Sequence, residues 1–409
     1  MEHAVQVEIL KELMQQLDEG KNIDAGVQYR MPTTSYVCPD IAARERESFF
    51  RNHPQFIGLS GDLPEPASYL TMDDFGIPIL ATRDKEGKFH AFLNACRHRS
   101  VKVASEARGK KAAFMCPFHN WTYANTGDLI KVSDEDHFGT VDKSCHGLVE
   151  LPAVEYNGML WVHPKIDGKL DIEELLGSEL AAEIGGFAVG RDALVGEKSI
   201  EKNLNWKLAN DTFGETYHFG KLHKDTLGEL FYGNNLHLKE FGRHHRFVTA
   251  NRGIDVMRDL PEEEWHISRG TFVLYHLFPN IQFIADPYTA TLIRIYPDES
   301  NPGRSVTRIS FYYSPEALQM AEDEKAAGLE IEDVYDHEGR DGLIGGVETS
   351  IELFTSTVEN EDYAMGEMQQ RAAETGMLKE IMFGRNEPAL HHFHRNFREA
   401  LGLPPMEKV

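Results

Sequence analysis

The chain has 409 residues, 41% hydrophobic and 26% charged, a balance typical of folded globular proteins and enough length for two domains. Its formal net charge of −24 argues against nucleic acid or an anionic membrane as a partner, since both would repel it. No apolar run approaches the length of a membrane span, and four cysteines do not make a disulfide framework.

The first predicted element is a helix over about 4–18, with Ile9, Leu10, Leu13, Met14 and Leu17 at helical spacing. Its interspersed acids are unlike the basic start of a secretory signal, so a cytoplasmic location is expected. After an irregular stretch to about 40, residues 65–165 read as short strands and turns. One hairpin turns at Asp84–Gly87 and another at Asn157-Gly158, a favoured two-residue hairpin pair. Beyond Pro164 the pattern changes. The stretches 171–187 and 204–219 read as helices, and five strand-like runs follow between 246 and 314. Helices over 348–372 and 388–401 complete the chain. The fold class is therefore α+β. A small all-β domain (46–165) precedes a larger domain (166–409) of helices on an antiparallel sheet, and the lead-in (1–45) packs on the latter.

Two stretches carry chemistry. The first, "NACRHRSVKVASEARGKKAAFMCPFHNWTY" (94–123), contains Cys96-x-His98 and Cys116-x-x-His119 at predicted strand ends and loops. Zinc is the simple competitor for two cysteines and two histidines. However, zinc fingers usually pair Cys with Cys and His with His, whereas each half here supplies one of each. That order suits a [2Fe-2S] Rieske cluster, with thiolates on one iron and imidazoles on the other. The stretch is also basic, with Arg97, Arg99, Lys102, Arg108, Lys110 and Lys111 against Glu106 alone. It reads as a docking patch for an acidic protein or as a solvated face. Cys38 and Cys145 have no evident pairing.

The second stretch, "NLNWKLANDTFGETYHFGKLH" (203–223), contains Glu215-x-x-His218-x4-His223. In a helix Glu215 and His218 share a face, whereas His223 does not, so a break at Gly220 is required to bring both histidines to one point. Two histidines and a carboxylate with open positions opposite would hold a mononuclear iron. On spacing alone, packed or surface histidines are the simpler explanation in a chain with 19 of them.

Together, "CRHRS…CPFHNWTY" and "NWK…ETYHFGKLH" resemble the signatures of the terminal oxygenase (α) subunits of Rieske non-haem iron oxygenases. The resemblance implies a Rieske domain followed by a helix-grip catalytic domain. It implies that Cys96 and Cys116 hold one cluster iron and His98 and His119 the other, with Phe118 and Trp121 packed around them. Ser100 and Asn120 stand where that family usually has glycine, so a local difference in backbone geometry is expected. His218 and His223 become ligands of mononuclear Fe(II). The third ligand would come from "TSTVENEDYAMGEMQQRAA", with alignment favouring Asp362 over its neighbours Glu361 and Glu359.

By the same resemblance Glu215 takes the place of a bridging acid, usually aspartate, which would link His119 of a neighbouring subunit to His218. Thr212, Thr216 and Phe219 would flank the iron as substrate contacts. Electrons would come from a ferredoxin or an NAD(P)H-dependent reductase, and O2 would hydroxylate an aromatic or other small organic substrate. The assembly would be a homotrimer, with or without a β subunit. Two rivals stand beside this reading. In one the same machinery acts on a quaternary ammonium or methylated amine, and in the other a zinc-containing protein binds ligands without catalysis.

Overall fold

The computed structural model describes residues 1–326 and 346–409, and the chain divides into two compact units. One comprises Glu45–Ile172 with Ala188–Ala193; the other comprises Met1–Arg44, Glu173–Phe187 and Leu194–Val409.

The smaller unit is built from antiparallel sheets. Strands Ile79–Arg83 and Phe89–Leu93 form the first predicted hairpin, closed by the Asp84 carboxylate, which accepts the N–H groups of Glu86 and Lys88 at 3.0 and 2.8 Å. Strands Ala153–Tyr156 and Met159–Val162 form the second. Its turn residues Asn157 and Gly158 are both left-handed, with φ of 49° and 79°, matching the twist of the flanking strands. Gly158 is also required sterically, since a Cβ there would lie 2.3 Å from the Cα of Gly190. That close approach ties Ala188–Ala193 to this unit. Its core gathers Tyr69, Leu80, Phe92, Phe114, Trp121 and Tyr123 around Cys96 and Cys116.

The larger unit is organised on a seven-stranded antiparallel sheet. Ala193–Lys202 lies on one edge beside Ser305–Tyr313, and the sheet then runs back through Thr289–Pro297, Ile281–Ala285, Thr271–Leu277 and His244–Ala250 to His237–Phe241. All five predicted strand runs are present. The helix His3–Glu19 buries Ile9, Leu10, Leu13 and Met14, and Gln16 donates to the Leu236 carbonyl at 2.8 Å. The late acidic helix is interrupted by a π-helical turn, Val358–Asp362, between Val347–Thr357 and Tyr363–Glu374.

One predicted helix differs. Of 204–219 only Trp206–Asp211 and the last residue, Phe219, are α-helical, and Gly220, expected to be the break, lies inside the four-residue helix Phe219–Leu222. The chain leaves the helix earlier for two reasons. A Cβ on Gly214 would come 2.2 Å from Leu390 Cδ2, so the backbone here passes directly under a neighbouring side chain. In addition, the Glu215 carboxylate accepts the N–H groups of Tyr217 and His218, which a continuing helix would give to its own carbonyls.

Candidate functional site

The Cys96–Ser100 and Cys116–Asn120 loops are near copies of one another. Each is closed by a 2.9 Å bond from the N–H of the fifth residue to the cysteine carbonyl. That residue is left-handed in both, with φ of 59° at Ser100 and 58° at Asn120. Serine and asparagine thus occupy the left-handed region that glycine adopts without cost. Both thiols are buried, and the His98 and His119 rings approach to 4.5 Å. Trp121 stacks on His98 at 5.2 Å, while half-exposed Phe118 lies 3.8 Å from the His119 ring.

Tyr123 accepts the Arg97 N–H at 2.9 Å and places its hydroxyl 3.2 Å from Cys96 Sγ, positioned to donate to a thiolate. Burial, reinforced by the adjacent Cys96 thiol, pushes the Cys116 thiol above its ordinary pKa. His98 Nδ1 is buried without a hydrogen-bond partner. Two buried thiols, two imidazoles and an orphaned ring nitrogen fit a two-iron cluster with mixed ligands.

In the larger unit, His218 and His223 converge with Asp362. His218 Nε2 and His223 Nε2 are 3.1 Å apart, and Asp362 Oδ1 is 3.3 Å from the first and 3.2 Å from the second. Ligands at right angles on bonds of about 2.2 Å stand about 3.1 Å apart, so this triangle fits one face of an octahedral metal. Among the described residues it is the group of such donors close enough to share an ion. The outer nitrogens are held as well. His218 Nδ1 donates to Glu215 Oε1 at 2.5 Å, and His223 Nδ1 donates to Glu361 Oε2 at 2.8 Å.

Glu361 thus lies behind His223 rather than in the triangle, and Glu359 pairs with Lys202 at 3.2 Å. Helix Trp206–Asp211, which leads into this turn, starts at an Asn205 cap and is pinned at its end. There Asp211 receives the Tyr36 hydroxyl at 2.7 Å and His394 Nε2 at 2.8 Å. Burial alone would lower the pKa of His218, but hydrogen bonds to Asp362 and Glu215 outweigh it and raise it to about 10. His223 is raised by the same kinds of contact, and Asp362 is lowered despite its burial because both histidines donate to it.

Residues 191–403 match the family model described as the ring hydroxylating alpha subunit (catalytic domain), and residues 53–144 match the Rieske [2Fe-2S] domain. The chain belongs to the ring-hydroxylating α-subunit family. It is 30% identical over 195 residues to the glycine betaine monooxygenase oxygenase subunit of Chromohalobacter salexigens, covering 48% of this chain and 43% of that one. It is 28% identical over 200 residues to the anthranilate 1,2-dioxygenase large subunit of Acinetobacter baylyi, covering 48% and 42%. Each match thus spans less than half of the relative's own length. In fold, the chain resembles the quaternary ammonium Rieske monooxygenase CntA in complex with L-carnitine. The TM-score is 0.72 at 19% identity, over 92% of this chain and 96% of that one.

In this ring-hydroxylating α subunit two cavities meet at the histidine–aspartate triangle. The larger, about 790 Å³, is lined by Tyr36, Asp211, Glu215, Met365, Met382 and Glu387 among others. The smaller one lies against Phe219, His223 and Thr357. Thr212 lines both, but its hydroxyl already donates to the Ala209 carbonyl. Thr216, expected to flank the iron, instead lies buried against Asn235, exchanging hydrogen bonds with its backbone N–H and carbonyl. Sequence spacing placed it beside the ligands on a helix that does not form. Thr357 and the role of Glu361 were not read from the sequence; a π-helical insertion, which has no spacing signature, sets both positions.

Proposed function

We propose that the chain is the terminal oxygenase component of a multicomponent Rieske system. It would take electrons from a separate ferredoxin or NAD(P)H-dependent reductase and use O2 to hydroxylate an aromatic or other small organic substrate. The observation carrying this reading is the triangle of His218 Nε2, His223 Nε2 and Asp362 Oδ1, with edges of 3.1–3.3 Å, in a chain that also carries the Cys96/His98–Cys116/His119 set. Electron uptake is assigned to 46–165 and oxygen chemistry to 166–409.

Cys96, Cys116, His98 and His119 would hold the [2Fe-2S] cluster, and His218, His223 and Asp362 the mononuclear Fe(II). When bound, the cluster supplies single electrons and the iron(II) centre supplies the site of oxygen reduction. The protein's own contribution is orientation. Glu215 and Glu361 fix each histidine with its proton on Nδ1, which leaves Nε2 free for metal. Glu215 also lines the larger cavity, which supports its role as the bridge to His119 of a neighbouring copy in a homotrimer. Among the described residues no helix is long and apolar enough to cross a membrane; the cytoplasmic location is proposed from the acidic, helical character of residues 4–18.

A second reading, the same machinery acting on a quaternary ammonium compound, is favoured by Glu215 in the bridging place and by the likeness to CntA. Metal and sulfide analysis with EPR of dithionite-reduced protein tests the common core. Iron, sulfide and a Rieske signal are expected, and Asp362→Ala should lose the mononuclear iron while keeping that signal. Zinc without iron and sulfide would overturn the proposal in favour of a non-catalytic ligand-binding protein.

A further inference from the structure

The smaller cavity has an uneven chemistry. Its carboxylates, Glu215 and Asp362, sit at the metal end, and among the described residues no lysine or arginine lines it. The rest of the wall is mainly apolar, with Phe213, Phe247, Phe272 and Phe354 among its residues. Two threonines interrupt it, and the Thr212 hydroxyl is already given to the Ala209 carbonyl. Thr357 is 3% exposed, and its Oγ1 has no hydrogen-bond partner among the described residues.

The helix itself does not satisfy that hydroxyl. A helical threonine ordinarily donates to the carbonyl three or four residues back, as Thr355 does to Ile351 at 2.8 Å. For Thr357 neither the Leu353 carbonyl, which accepts from Ser356 Oγ at 3.2 Å, nor the Phe354 carbonyl, which accepts the Val358 N–H, takes the hydroxyl. Thr357 is also the last residue before the π-helical turn Val358–Asp362, the kind of insertion that re-aims side chains at functional sites. A buried hydroxyl without a partner carries a free-energy cost that a bound ligand can remove.

We propose that Thr357 determines specificity, and that the substrate is an uncharged, mainly apolar molecule bearing one hydrogen-bonding group. Its apolar body lies against the phenylalanines and its hydroxyl, amine or carbonyl pairs with Thr357 Oγ1. This rests on the reading of the cavity as the substrate site of an oxygenase. A carboxylate would meet no lysine or arginine among the described residues lining the cavity and would lie beside Glu215 and Asp362 at its metal end, a costly burial. A quaternary ammonium group can neither donate to nor accept from Thr357.

The test compares phenol with toluene, which share a shape and differ by a hydroxyl in place of a methyl, alongside benzoate and tetramethylammonium. Dissociation constants are measured by calorimetry on the dithionite-reduced holoenzyme under argon. Phenol should bind about three- to tenfold more tightly than toluene, and benzoate and tetramethylammonium more weakly than phenol. Thr357→Val should abolish the phenol preference without weakening toluene, and Thr357→Ser should retain it. Equal binding of phenol and toluene by the unmodified protein overturns the proposal whether or not the variants fold. So does a preference that survives in Thr357→Val, or benzoate or tetramethylammonium binding tighter than phenol. An absent Rieske signal in the same sample would instead defeat the oxygenase reading, while the phenol-to-toluene ratio still reports on Thr357.

Discussion

Glu361 stands behind His223, its Oε2 2.8 Å from Nδ1, and so turns the opposite nitrogen of the ring toward Asp362. Glu215 does the same for His218 from the other side. Each histidine of the triangle therefore has its own carboxylate, and neither carboxylate belongs to the triangle. Thr226 also donates to Glu361 at 3.1 Å, fixing its orientation.

If Glu361 orients His223, Glu361→Ala should weaken iron binding at the mononuclear site about 10- to 100-fold, the usual cost of losing a carboxylate behind a ligating histidine. Iron titration monitored by stoichiometry measures this, with the Rieske EPR signal as the internal control. Glu359→Ala should change neither, because Glu359 pairs with Lys202. Equal losses from both variants would show that the acidic helix acts only through its overall charge.

Metal uptake should depend steeply on pH. Without metal, Asp362 and Glu215 overcome the effect of burial and hold His218 protonated to about pH 10. Metal must displace that proton, so apparent affinity should rise by up to about tenfold per pH unit between pH 6 and 9. The stability of the chelator-treated protein should move the other way. A pKa raised above its unfolded value of about 6.5 adds stability below that pH, and this is lost as pH rises toward 10. The Tm of metal-free protein should therefore fall across that window. Affinity that stays flat from pH 6 to 9 would exclude His218 as a ligand.

How much of this was legible depends on what local sequence encodes. The cluster loops were readable because their ligands lie within three residues of each cysteine, and two hairpins of the same unit because they carry Asp84 and Asn157-Gly158 at the turns. The strands of the larger sheet were readable from alternation and turn residues. The break between Asp211 and Phe219 was not, because it depends on Leu390 passing over Gly214, a contact 176 positions apart in the chain. The choice among Glu359, Glu361 and Asp362 depends similarly on a π-helical turn that shifts which acid faces inward. The cost of Ser100 also becomes visible only in φ.

Ser100→Gly should stabilise the smaller unit. A serine held at φ of 59° costs roughly 1–2 kcal/mol relative to its preferred regions, while glycine loses part of that gain through its freer unfolded state. A net gain of about 0.5–1 kcal/mol is expected in thermal or denaturant unfolding, with unchanged Rieske g-values. Asn120→Gly should gain less, since asparagine tolerates this region better. A loss of stability in Ser100→Gly would mean that the serine side chain makes a contribution larger than its backbone strain.

The basic stretch around the cluster can be divided into neutralised and free charges. Lys102 pairs with Asp73 at 2.5 Å, Arg108 with Asp62 at 3.0 Å, Lys110 with Glu65 at 2.6 Å and Lys111 with Glu106 at 2.9 Å. Arg97 and Arg99 are exposed and have no carboxylate partner among the described residues; Arg97 donates to the Gly147 carbonyl and Arg99 lies 4.8 Å over the Phe118 ring. An acidic electron carrier should therefore sense Arg97 and Arg99 more than the lysines. Reversing both arginines to glutamate should slow reduction by the carrier about tenfold or more at low salt and flatten its dependence on ionic strength. Reversing Lys110 and Lys111 should slow it less, because those charges are already paired. Stopped-flow reduction of proteins with matched Rieske signals measures both. Larger losses from the lysine pair than from the arginine pair would move the docking surface away from the cluster loops.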